Sequence, residues 1–184
     1  MTEDFLAVVE AKRFLGREFL TWLVHTIEED GGKITRDTDV IELQLGDRVV
    51  LAGTGIGPDK PRLTVAGAGD LRPEIGVGLR RGKFLDQAKI AITRSERRWE
   101  LSLDGGMLTY DSLRCPQLGD RDAGAQEDPR AAFENDLFLR IADVEDAVGV
   151  LDRLFAEFCR VRGASAWSAR TLPALRAWVD DLGS

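Results

Sequence analysis

A chain of 184 residues with 43% apolar and 31% charged side chains has the composition of one folded domain, not of a disordered tail. Its net charge of −7 argues against a generic nucleic-acid or membrane-surface binder. No apolar run reaches the roughly 18 residues of a membrane span, and Met1-Thr2-Glu3-Asp4 is acidic where a secretory signal is basic.

Cys115 and Cys159 share no spacing with a partner and read as reduced, half-buried thiols of a cytoplasmic protein. The charge is segregated. Residues 72 to 98 hold eight basic side chains against three acids, +5 locally, which leaves −12 for the rest.

In chain order, residues 3 to 29 read as an N-terminal helix. Leu15, Phe19, Leu23 and Ile27 recur every four positions with Leu20 and Val24 beside them, a wide apolar stripe at helical period. Gly31-Gly32 stops the helix, and Gly16 weakens its first half. Val40 to Leu45 and Arg48 to Ala52 alternate, and Gly46-Asp47 between them predicts a tight hairpin. Gly53 to Pro61 is a loop before a third strand, Arg62 to Ala66. Leu71, Ile75 and Leu79 then mark a short helix ending at Gly82.

A second meander follows. Ile90 and Ile92 are expected to pair with Leu101 and Trp99 across a Ser95-Glu96 turn, with Lys89 and Thr93 opposite Ser102 and Arg98 on a solvated face. Thr109 to Cys115 supplies a sixth strand, stopped by Pro116. Residues 117 to 130 read as a flexible acidic loop. Helix returns through Phe133 to Ile141, and Asp143 is expected to cap a separate, longer helix that carries Val144, Ala147, Leu151, Leu154, Phe155 and Phe158 to Gly163. Thr171 is expected to cap a last helix with Pro173 in its first turn.

The predicted fold is therefore α+β in a single domain: two antiparallel β-meanders of about six strands with a connecting helix, packed against N-terminal and C-terminal helices. Residues 1–32 supply the first helix, 33–116 the sheet region, 117–130 the loop and 131–184 the C-terminal helices. The last helix carries Leu172, Leu175, Trp178, Val179 and Leu182, a heavy apolar load for a terminal segment, which predicts a homodimer or a protein partner.

No motif for chemistry emerges. Gly53-Thr54-Gly55-Ile56-Gly57 follows a strand, but Pro58 and Pro61 and a further strand come next, whereas a phosphate loop opens a helix. His25, the single histidine, has no ligand or nucleophile spaced to it. The pairs Glu28-Glu29, Glu127-Asp128, Glu145-Asp146 and Asp180-Asp181 are adjacent in sequence, so their side chains diverge. No catalytic residue, metal site or cofactor is predicted.

Six cations remain. Arg80, Arg81 and Lys83 close a helix, where they also suit its dipole, and Arg94, Arg97 and Arg98 gather at a hairpin tip. If both groups share one side of the sheet, they form a patch able to meet phosphates.

These residues resemble the RdgC-like recombination-associated proteins of bacteria, chiefly their C-terminal region. Phe14-Leu15-Gly16-Arg17-Glu18-Phe19-Leu20-Thr21-Trp22-Leu23 is similar to that family's helix. Glu74-Ile75 through Leu79, Gly82-Lys83 and Ala88 to Ile92 are similar to its following stretch, and Leu108 to Cys115 falls where the family has a strand. The resemblance spans residues 14 to 115, with an echo in Val144 to Phe158. It implies a protein without a catalytic centre that contacts duplex DNA, forms ring-like dimers and modulates a recombinase. The second reading is a protein-assembly module with no nucleic-acid role, and the third an enzyme with an unrecognised site.

Overall fold

The computed structural model of the chain describes residues 14–29, 31–36, 39–53, 61–118 and 128–182. Within them the protein is α+β, a six-stranded antiparallel sheet with helices on one face. In chain order the elements are α1 (Phe14–Glu29), β1 (Lys33–Arg36), β2 (Asp39–Ala52), β3 (Arg62–Ala66), α2 (Arg72–Arg80), β4 (Phe84–Arg94), β5 (Arg97–Asp104), β6 (Thr109–Arg114), α3 (Pro129–Gly163), a π-helical turn (Trp167–Thr171) and α4 (Leu172–Asp181). The expected helical stretch 3–13, most of the Gly53–Pro61 loop and residues 119–127 of the acidic loop lie outside the described residues.

The strand order is β1-β2-β4-β5-β6, with β3 also on β2. The expected hairpin at Gly46-Asp47 does not form, and β2 runs unbroken for 14 residues. Its two halves need not pair with each other because both pair with β4. The expected turn is instead an irregularity: Leu45 faces Ile90 and Val49 faces Ala88, four steps on β2 against two on β4. On its other edge β2 takes β1 along its N-terminal half and β3 along its C-terminal half. The bulge lies between those two partners.

The β4–β5 ladder has the register that alternation predicts. Ile90 faces Leu101, Ile92 faces Trp99, Lys89 faces Ser102 and Thr93 faces Arg98. Ser95 and Glu96 make the turn at positive φ, as a tight hairpin between right-twisting strands requires.

Apolar residues of the inner face, among them Leu43, Val49, Leu51, Ile90, Ile92 and Leu101, form one core with Phe19, Leu20 and Leu23 of α1 and Val150, Leu154 and Phe158 of α3. Gly16 admits α1 to this position. A Cβ there would fall 2.2 Å from the carbonyl oxygen of Gly105, so the residue that costs helix propensity brings the helix onto the β5–β6 turn. Gly31 and Gly32, both at positive φ, end α1 as expected.

Three helical details differ from the sequence reading. The stretch predicted as two helices is a single one of 35 residues, capped by Asp128, whose side chain accepts from the amide of Arg130. Asp143 caps nothing. It is buried in mid-helix, where Arg97 satisfies its carboxylate, so the backbone has no reason to leave the helix. Thr171 makes no side-chain cap, since the π-helical turn runs directly into α4. The apolar load of α4 faces inward, with Leu175, Trp178 and Leu182 all buried. Packing within the chain accounts for these three, while Leu172 and Val179 are half-buried.

Candidate functional site

β4 sets the six predicted cations in two groups. Arg80, Arg81 and Lys83 precede its first residue and Arg94, Arg97 and Arg98 surround its end, and 11 extended residues put roughly 33 Å between the groups. They do not make one patch.

The two groups also differ in compensation. Arg94 meets Asp39 at 2.7 Å, on a carboxylate that Arg153 also holds at 2.7 Å. The Arg94 hydrogen bond holds the Asp39 carboxyl below its ordinary pKa. Arg98 donates to Gln44 at 2.9 Å and lies 3.4 Å from Glu100. Arg97 donates to both Asp143 and Asp146 and stacks over Trp99 at 5.1 Å. The Asp143 bond, chief among the causes, raises the Arg97 pKa above its ordinary value.

At the other end the partners are carbonyls. Arg80 donates to Val179 and Asp180 at 3.2 and 3.3 Å, and Lys83 to Pro61 at 3.2 Å. Arg81 is exposed at the helix end. No carboxylate neutralises Arg80 or Lys83 among the described residues.

Arg97 has a structural task that its sequence context does not announce. Trp99 donates its indole N–H to the Asp143 carbonyl at 3.1 Å, and Arg140 lies 3.6 Å from the same carboxylate. Arg97 and Trp99 thus clamp the β5 end to the middle of α3. Cys115 sits close by, where burial, and then the Asp143 charge, push its thiol up. Cys159 is exposed, not half-buried.

The clamp divides α3. Beyond it Ala147, Val150, Leu154 and Phe158 are buried. Before it only Ala132 and Asp143 are buried, and large apolar side chains are left in solvent: Phe133 at 67%, Leu137 at 48%, Phe138 at 69%, Leu139 at 46%, Ile141 at 46% and Val144 at 39% exposure. Phe133, Leu137, Ile141 and Val144 are spaced four, four and three apart, so they lie along one helical stripe. The sequence reading gives a helix from Phe133 to Ile141 and assigns Val144 to the next one, so the stripe emerges only once α3 is continuous. It continues through half-buried Val148, Leu151 and Phe155, beside Gly16, Leu108 and Tyr110.

The remaining candidates have structural surroundings. His25 stands edge-on to Trp178, 5.4 Å between rings. Glu28 pairs with Arg72, and Asp146 with Arg97. Among the described residues no three His, Cys, Asp or Glu side chains gather to hold a metal ion, and no helix is long and apolar enough to cross a membrane. No family model, curated protein or solved structure matches the chain.

Proposed function

We propose that the protein is a non-catalytic assembly module that pairs with a second copy of itself through the first half of α3. The observation that carries this is the row Phe133, Leu137, Phe138, Ile141 and Val144, exposed on a helix whose other half is anchored in the core. Exposed patches of this size mark interaction sites. These side chains offer on the order of 500 Å2 of apolar area per copy, the core of an interface that needs about 800 Å2 a side. Two identical apolar stripes are mutually complementary, and a two-fold axis brings the same patch onto itself. Such pairing agrees with the dimers that the RdgC-like resemblance implies.

Sedimentation velocity at about 100 μM, where a Kd worth roughly −6 kcal/mol is populated, compares the wild type with Leu137→Asp. The wild type is expected to sediment as a dimer of twice 20.3 kDa, and the variant as a monomer with an unchanged thermal midpoint. A monomeric wild type would remove the reading.

Duplex-DNA contact is the second reading, favoured by the uncompensated charges of Arg80, Arg81 and Lys83. With Arg94, Arg97 and Arg98 paired to carboxylates of this chain, and Arg80 and Lys83 held only by carbonyls, three phosphate contacts remain. At about 0.9 each they predict a slope of log affinity against log salt near −3. Titration of labelled duplex at low ionic strength tests this: Arg81→Glu should weaken binding to all sequences alike and flatten the slope. Equal binding by both proteins would exclude that end of the sheet from DNA contact.

A further inference from the structure

At the start of α1, the first residue of β4 and α4 there is a cavity of about 510 Å3, a volume within the range of small-molecule sites. Self-association through α3 makes no use of it. Its walls are apolar, built from Phe84, Trp167, Leu172, Leu175 and Val179. Trp167 opens the π-helical turn that leads into α4, and insertions of this kind recur at functional sites.

The few polar groups around it carry a surplus of positive charge. Arg17 and Arg176 line the cavity. Arg17 meets the buried carboxylate of Asp86 at 3.1 Å, but Arg62 holds the other oxygen of that carboxylate at 3.2 Å. Two guanidiniums thus share one negative charge. The Nε of Arg17 is buried with no acceptor. Of the remaining lining groups, Glu18 is engaged by Arg162 at 2.7 Å and the Thr21 hydroxyl by the Arg17 carbonyl at 2.8 Å. Asp180 is exposed.

We infer that this cavity binds a small amphipathic monoanion, an apolar body carrying one carboxylate, with the body against Phe84 and Trp167 and the head at Arg17 and Arg176. The apolar walls supply the burial that favours the body. The surplus guanidinium charge selects a carboxylate over an alcohol of the same length and excludes an alkylammonium.

Calorimetric titration with decanoate, below the concentration at which it forms micelles, tests this. Decanol and decyltrimethylammonium are the comparison ligands, and Arg176→Glu and Leu172→Trp the variants. The titration is repeated in a Leu137→Asp background, which takes the exposed stripe of α3 out of play. The expected result is saturable one-to-one binding of decanoate with a Kd below about 1 mM. Each variant should weaken it at least tenfold at an unchanged thermal midpoint, and the alkylammonium should not bind. Arg176 is exposed, so its reversal tests the site even if the larger tryptophan disturbs folding. Absence of saturable binding, equal affinity for anion and cation, or indifference to Arg176→Glu would each overturn the inference. Loss of binding in Leu137→Asp alone would place the ligand on α3 and overturn it too. A monomeric wild type that still binds decanoate would sink the pairing and leave the cavity site standing.

Discussion

Truncating Phe158 to alanine is expected to cost about 3–5 kcal/mol, the range for deleting a large, fully buried aromatic ring. Phe158 is wholly buried, and its ring lies 5.5 Å from Phe19, 5.7 Å from Trp22 and 6.0 Å from Trp167. It therefore joins α1, α3 and the π-helical turn in one aromatic cluster. Losing it removes transfer energy and opens a cavity that three separate elements would all have to move to fill. Chemical denaturation measures the loss. A cost under about 1 kcal/mol, the scale of a surface change, would mean that the helices do not meet at this ring.

Arg97→Ala should have the second largest effect, about 2–4 kcal/mol. Removing Arg97 leaves the Asp143 carboxylate, with only 6% side-chain exposure, to the more distant Arg140 at 3.6 Å, and a buried charge so weakly paired is costly. Arg97 itself is 41% exposed, which places the loss below that of a fully buried pair. The double variant Arg97→Met with Asp143→Leu separates charge from packing, since an apolar pair of similar volume often replaces a buried ion pair at little cost. It should recover most of the stability lost in Arg97→Ala. If the double variant is no more stable than the single one, the clamp holds by contacts other than this charge.

Where neighbours in space were neighbours in sequence, the fold was legible. The β4–β5 register follows from alternation about a two-residue turn, and Ile92 falls opposite Trp99 as it must if both face the core. β2 was not legible because Gly46-Asp47 has the chemistry of a turn. Only the distant β4, pairing with both halves, keeps the strand continuous through it. Asp143 misled for a related reason. A short acid before an apolar run resembles a cap, and its true partner Arg97 lies 46 positions away.

The candidate site was harder to read than the fold. Periodicity puts Leu175, Trp178 and Leu182 on one helix face, and assigns Phe133 to Ile141 to a helix with no face singled out. It carries no information on which face meets the core. The structure buries the first set and exposes the second, so the surface proposed for a partner is on α3 and not on α4. Charge carries the same ambiguity. The local surplus of residues 72 to 98 is real, but carboxylates from β2 and α3 return to Arg94 and Arg97 across the fold.

The central claim, that two copies meet along the first half of α3, is tested most directly by an intermolecular distance. With Cys115 and Cys159 replaced by serine, a single cysteine at Asn135 carries a spin label, and electron–electron dipolar spectroscopy reads the separation between copies. Helices packed at about 8–10 Å, with two label arms added, predict a distance of roughly 15–30 Å. A label at Arg48, on the opposite side of the sheet, should give none in that range. A short distance at Arg48 with none at Asn135 would put the interface on the sheet and contradict the account.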